Sequence, residues 1–200
     1  MFFYHIIYRP FQKLIRKKHV YENLNKYIAE KKIKNVYDIG CADSVFLKYN
    51  TNLISYYGYD INSQFIKKSK KVYKSNKKYN FVCCAAAEIA NLQFKPNSIV
   101  LMCGIIHHLN DEDAINLISN INTQNVEAFA IDPLKKDKLG FLNKFFISID
   151  RGNYIRDESQ YKKIFHSFKI IHKNNFLIFK YEHIMHLKNM DKKKFEIILG

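Results

Sequence analysis

Between residues 35 and 133 the chain alternates short, almost wholly apolar runs with longer amphipathic ones, and this rhythm limits the fold more than any other feature. "KNVYDIG", "ISYYGYDI", "YNFVCCAAA", "NSIVLMCGII" and "VEAFAIDP" have the length of strands. The fourth is apolar enough to be covered on both faces. Between them, "SVFLKYN" opens a predicted helix. "NSQFIKKSKKVYKS" places a cap-like Asn62 or Ser63 ahead of Phe65, Ile66 and Val72, and "DEDAINLISNI" has acids in its first turn, where the helix dipole favours them. Strand and helix in alternation imply parallel pairing through right-handed crossovers. The expected fold is a doubly wound α/β, mostly parallel sheet with helices on both faces.

After Pro133 the rhythm breaks. Leu134 to Arg156 reads as a basic, aromatic insertion, followed by a predicted helix in "DESQYKKIFHSF" and a C-terminal antiparallel hairpin of "KIIHK" and "NFLIFKYEHIMHL". At the other end, "FQKLIRKKHVYENLNKYIAE" sets Phe11, Leu14, Ile15, Tyr21, Leu24, Tyr27 and Ile28 at helical spacing. The expected organisation is one domain over 1–200: a helical lead-in (1–32), a cofactor-binding half (33–132), an insertion or lid (133–161) and the hairpin (162–200).

The formal net charge of +15, from 33 Lys and Arg against 18 Asp and Glu, raises the question of a polyanionic partner. Only Arg9, Arg16, Arg151 and Arg156 are arginines, and the lysines run along the whole chain. A lysine-favouring composition accounts for this better than nucleic-acid binding, which is not favoured. Cys41, Cys83, Cys84 and Cys103 lie in or beside apolar runs without zinc spacing, so buried free thiols are expected and no metal site. "MFFYHIIYRP" lacks a basic segment ahead of a short apolar stretch, which points to a cytoplasmic protein. The N-terminal helix is expected to cover the sheet or shield a cofactor; peripheral membrane contact through its aromatic and basic residues is the second reading.

In a doubly wound sheet, ligands bind beyond the carboxyl ends of the strands, near the point where strand order reverses. Asp38 to Ser44, Asp60, Ala85 to Glu88, Gly104 to His108 and Asp132 fall there. Asp60 lies twenty residues after Gly40, the spacing at which an acid accepts hydrogen bonds from ribose hydroxyls; the plainer reading is a cap on the next helix. A nicotinamide site wants G-x-G-x-x-G, whereas Gly40 is the only glycine in this turn and Asp43 puts an acid where a diphosphate would sit. A ribose- and adenine-bearing cofactor with a cationic or zwitterionic tail suits the turn better, which describes S-adenosylmethionine.

"VYDIGCA", "YYGYDINSQFI", "CGIIHHLNDEDA" and "AIDP" together resemble the class I S-adenosylmethionine-dependent methyltransferases, with their Rossmann-like sheet, over about residues 33 to 132. An aromatic, basic lead-in helix and "FFISIDRGNYIRDESQY" extend the resemblance toward both ends. It implies that Asp38 and Gly40 form the turn around the methionine moiety, lined by Cys41 and Ala42, with Asp60 on the ribose and Ile61 against adenine. Gly104, Ile105 and His107 would floor the pocket. Three positions depart from the family pattern. Ala42 stands for a usual glycine, tolerable at negative φ and crowded otherwise. Ala85, next to Ala86, stands where an Asp commonly receives the adenine amino group, a contact left to Glu88 or backbone. Ser98 replaces a frequent Asp in the fourth strand and reads as structural.

Methyl transfer from a sulfonium is an in-line displacement that depends chiefly on positioning. A hydroxyl acceptor gains from a base, for which His107 is the candidate, with His108 pointing elsewhere. Arg151 and Tyr154, with Asp150, Arg156 and Tyr161, form either a lid gripping an anionic acceptor or a surface network of Asp150–Arg151 or Arg156–Asp157. His183 and His186 lie three apart in a strand and so on opposite faces. The expected activity is methyl transfer to a small-molecule or glycan- or lipid-linked acceptor. RNA or protein methylation is the enzyme alternative, a non-catalytic partner protein of the same fold the alternative from another class, and a nicotinamide oxidoreductase a distant fourth.

Overall fold

The computed structural model describes residues 17–49, 55–135, 152–173 and 183–190. Helix α1 (Lys17–Glu30) leads into strand β1 (Asn35–Ile39), a 3-10 turn (Val45–Tyr49) and β2 (Ser55–Asp60). Helix α2 (Ser63–Val72), β3 (Tyr79–Cys83), a 3-10 segment (Ala86–Asn91), β4 (Ser98–Cys103) and helix α3 (Asp111–Thr123) follow. Strand β5 (Glu127–Pro133), helix α4 (Glu158–Ile164), β6 (Lys169–Lys173) and β7 (His183–Lys188) complete the order. The seven strands form one sheet ordered β3-β2-β1-β4-β5-β7-β6. Strands β1 to β5 pair in parallel, while β7 inserts antiparallel between β5 and β6.

The sheet is covered on both faces, as the unbroken apolar runs require. All of β1 is buried, and so is β4 up to Cys103. On one face Val20, Leu24, Tyr27 and Ile28 of α1 and Ile66 of α2 pack over Val36, Tyr56, Ile99, Leu101, Phe129 and Leu187. On the other, Leu117, Ile118 and Ile121 of α3 and Tyr161 and Phe165 of α4 cover Ile39, Val100, Met102 and Ala130. Alternate residues of one strand thus enter different cores, as a period of two demands.

Caps fix where the helices begin. Asn62 accepts from Gln64 N, Asn110 from Asp113 N at 2.8 Å and Asp157 from Gln160 N at 2.9 Å. One element differs from expectation. "SVFLKYN" makes a short 3-10 turn, with Val45, Phe46 and Leu47 buried, in place of the helix. The terminal strands β6 and β7 form the expected antiparallel hairpin, which joins the sheet through β7 beside β5, and His186 lies fully buried with its ring stacked on Phe165 at 3.8 Å. At the far end of β7, Lys188 Nζ donates to the carbonyls of Ile121 and Gln124, both at 2.6 Å, closing the C-terminus of α3.

Among the described residues no helix is long and apolar enough to cross a membrane. The start of the chain, residues 1–16, lies outside the described residues, and with it the aromatic and basic stretch weighed for membrane contact.

Candidate active site

Strand order reverses between β1 and β4, and the loops after β1, β2, β3, β4 and β5 all emerge at that end of the sheet. The turn after β1 begins at Gly40, where φ is +75° and a Cβ would stand 3.0 Å from the side chain of Ile105. Glycine is required there by both counts. Ala42 and Ser44 follow at φ +48° and +53°, so the substituted loop keeps a left-handed path without the residue that adopts it freely. Ala42 is on the strained branch of the expectation, at a cost of about 1–2 kcal/mol.

Asp60 holds the turn in place. Its Oδ2 accepts from Ala42 N and its Oδ1 from Asn62 N, both at 2.8 Å, tying the end of β2 to the loop after β1. Helix α2 is capped by Asn62 instead, which separates the capping role from Asp60. Beside it the side chain of Ile61 is 74% exposed. An apolar face thus stands next to an oriented carboxylate whose remaining lone pairs can accept further hydrogen bonds.

Deeper in, Asp38 is buried and accepts from the Tyr56 hydroxyl at 2.6 Å. Burial, with Asp38 and the Cys41 thiol nearby, pushes Tyr56 well above the usual phenol range, so it stays a donor. Tyr21 of α1 reaches the same place, its hydroxyl against Cys103 and near Asp38 and Asp43. Neither tyrosine was expected at the site; their only sequence signal is an apolar-periodic position filled by a residue with a polar tip. The Cys41 thiol is buried and raised in pKa by that burial and by Asp38 and Asp60, which leaves it a packing group beneath the turn. Of the other cysteines, Cys83 is exposed and Cys84 and Cys103 partly so, against the expectation of four buried thiols: Cys83 ends the edge strand β3 with Cys84 just after it, and Cys103 is the last residue of β4.

Asp43 also departs from its reading. Its side chain is buried and paired with Lys68 Nζ at 3.0 Å, so its charge is met within the protein. The turn disfavours a diphosphate for another reason. The amides of Gly40 and Cys41 donate to Tyr59 O, that of Ala42 to Asp60 and that of Ser44 to Cys41 O. A phosphate cradle needs such donors free.

After β3, Ala85 and Ala86 open the 3-10 segment, and Glu88 Oε1 accepts from Ala85 N at 2.7 Å. Glu88, considered for the adenine amino group, thereby closes its own turn. Ser98 donates to Lys95 O within the loop ahead of β4.

Gly104, at φ +75°, donates to Ile131 O at 2.8 Å and leads into the turn that carries the two histidines. His108 is exposed, whereas His107 is buried, with Nδ1 2.7 Å from Asp132 Oδ1. The same carboxylate oxygen accepts from His107 N at 3.2 Å. A carboxylate only accepts, so Nδ1 is the donor in this contact. The ring lies between two glycines: a Cβ on Gly104 would stand 3.6 Å from Cε1, and one on Gly152 only 2.0 Å from Cδ2 and 2.9 Å from Nε2. The chain after the insertion therefore passes directly over the imidazole, and Tyr154 N donates to His107 O at 3.0 Å.

Arg151 lies outside the described residues, as does Asp150. Tyr154 is 43% exposed and its ring sits 5.7 Å from the Arg156 guanidinium. Arg156 is not placed to grip an anionic acceptor. It is buried, and its three nitrogens donate to Asp111 and to the carbonyls of Ile106, Leu109 and Tyr154 at 2.7–3.1 Å. Its acidic partner is Asp111, not the neighbouring Asp157, which is spent capping α4. Tyr161 belongs to the core, its hydroxyl donating to Pro133 O at 3.1 Å, and is no part of a lid. Among the described residues no group of three His, Cys, Asp or Glu side chains could hold a metal.

Residues 37–123 match the family model described as a methyltransferase domain. No curated protein sequence matches the chain. The solved plantazolicin methyltransferase, in complex with a triazolic desmethylPZN analog and SAH, is similar at 13% identity over 92% of this chain and 88% of its own, with a TM-score of 0.67. A SAM-dependent methyltransferase from Archaeoglobus fulgidus shares 20% identity over 91% of this chain and 100% of its own, with a TM-score of 0.63. Mitomycin 7-O-methyltransferase shares 11% identity over 87% of this chain, which spans only 54% of that longer one, with a TM-score of 0.63. At such identities the likeness is one of fold. The central part of the chain thus matches a methyltransferase domain, set in a sheet whose fold solved S-adenosylmethionine-dependent methyltransferases share.

Proposed function

We propose that the protein transfers the methyl group of S-adenosylmethionine to a hydroxyl of a small molecule, free or attached to a glycan or lipid. The observation that carries the cofactor half is the double backbone tie on Asp60, which holds a carboxylate beside the exposed Ile61 at the carboxyl end of β2 and ties it to the turn after β1. Bound there, the cofactor supplies an already activated methyl group, so the protein's contribution is placement. Asp38, Gly40, Cys41, Ala42 and Gly104 shape the turn around its amino-acid end, and Ala85 and Ala86 border the adenine side.

The acceptor half rests on His107 and Asp132. With the Nδ1 proton committed to Asp132, Nε2 is the atom able to take a proton from an acceptor hydroxyl. A nitrogen acceptor would need no such base. The Gly152–Tyr154 segment lies against the imidazole, and an acceptor reaching Nε2 has to enter past it. Tyr154, on that segment, and Arg151, outside the described residues, are the side chains proposed for acceptor contact. The small-molecule class is supported by the methyltransferases of plantazolicin and mitomycin that share the fold.

The test has two stages. Calorimetric titration with S-adenosylmethionine and S-adenosylhomocysteine should show binding that Asp60→Ala abolishes, while NAD gives none. A screen of small hydroxyl and amine acceptors should then release S-adenosylhomocysteine with hydroxyl compounds, and lose that release in His107→Gln. Turnover of amines alone, unaffected by His107→Gln, would rule out the base.

A further inference from the structure

From Ile61 through Ala87, which covers α2, β3 and the loops around them, the sequence contains seven lysines and no Asp or Glu. An evenly spread lysine bias would bring acids with it, since the whole chain holds 18. All seven lysines are exposed. Lys68 is committed to Asp43. The other six form no ion pair among the described residues. Lys67, Lys70 and Lys71 occupy one stripe of α2 at i, i+3 and i+4, Lys74 continues it just past the helix end, and Lys77 and Lys78 lead into β3. Unopposed like charges held together in this way raise the energy of the free protein and lower it again beside a polyanion.

We propose that this face docks on an anionic phospholipid surface. Its cations are all ammonium groups, point charges that suit a diffuse layer of lipid phosphates, and it has no arginine fork of the kind that grips an individual phosphate. Val72 stands among them 60% exposed, an aliphatic side chain able to enter the interface. Nucleic acid fits less well. The aromatic rings of the region are used on one another, Tyr73 on Phe81 at 5.9 Å and on Tyr79 at 5.8 Å, so no stacking platform for bases is presented. Because these lysines lie outside the cofactor and acceptor residues, the surface stands independently of the methyl-transfer reading.

The experiment is co-sedimentation of the full chain with vesicles of phosphatidylcholine alone and with roughly one quarter phosphatidylglycerol, at about 0.05 and 0.3 M salt. The protein should pellet only with the anionic vesicles and be released at the higher salt. The variant K67E/K71E/K74E should lower the partition coefficient at least about tenfold, with its melting temperature and S-adenosylmethionine binding unchanged. A variant of equal charge change elsewhere, K34E/K163E/K169E, should lose far less. Equal loss in the two variants, or no vesicle binding, overturns the proposal. So does tighter binding of single-stranded RNA than of anionic vesicles at the same salt, abolished by the K67E/K71E/K74E change.

Discussion

Nδ1 of His107 lies 2.7 Å from Oδ1 of Asp132, and this joins the loop after β4 to the end of β5 across two adjacent parallel strands. The second carboxylate oxygen of Asp132 is buried and meets no partner among the described residues. Asp132 therefore gives up hydrogen bonding in order to face the imidazole, an arrangement that fixes the ring's tautomer. Asp132→Asn should leave cofactor affinity in calorimetry unchanged and reduce kcat on a hydroxyl acceptor by about 10²-fold or more. His107→Gln should do the same, and the double variant should fall no further than either single one. Additive losses would separate the two residues.

The left-handed backbone at Ala42 gives a prediction of opposite sign. Its amide is held by Asp60, so the conformation is imposed by the site and not by local preference. Ala42→Gly should relieve roughly 1 kcal/mol of backbone strain. The gain appears as a melting temperature higher by about 2–4 °C for a chain of this length. A lower melting temperature would mean that the glycine's greater freedom in the unfolded chain outweighs the strain.

What could be read in the sequence follows from what acts locally. The five parallel strands, Asn62 as a cap and the acid at the end of β2 are each set by a run of neighbouring residues. The partners of Asp43, Arg156 and Tyr161 were not legible, because Lys68, Asp111 and the Pro133 carbonyl are brought to them only by the fold. Asp43 reads as an acid at the ligand from its place in the turn; the fold buries it against Lys68, between two residues of left-handed backbone. "IDRGNYIRD" reads equally as a grip for an anion or as a surface network, since its two arginines stand beside acids. In fact Arg156 serves the backbone of the turn bearing His107.

That service makes Arg156 a strong determinant of stability. Removing it in Arg156→Met takes the guanidinium donor from the carbonyls of Ile106, Leu109 and Tyr154; Ile106 O keeps the bond from Leu109 N, while the other two lose this donor at about 1–2 kcal/mol each. The lost ion pair adds little, since Asp111 has 78% of its side chain in solvent. A total of about 2–4 kcal/mol is expected from the urea midpoint. Arg156→Lys should recover only part of it, because one ammonium cannot reach three carbonyls and a carboxylate in that fork.

Glu127, at the start of β5, is costly to its own fold at neutral pH. Half-buried, it has its carboxyl raised above the ordinary value by loss of hydration, with the Tyr27 hydroxyl and Lys31 offsetting part of the shift. Its Oε2 is buried without a partner among the described residues. A carboxyl whose pKa is higher folded than unfolded binds its proton more tightly in the native state. Its contribution is therefore most favourable below the unfolded value of about 4.5 and is lost as pH rises through the folded one. Glu127→Gln should be more stable than the parent at pH 8 in urea unfolding. The difference should shrink steadily as pH is lowered and vanish once both states of the parent are protonated. A gap independent of pH would assign the effect to packing and not to the charge.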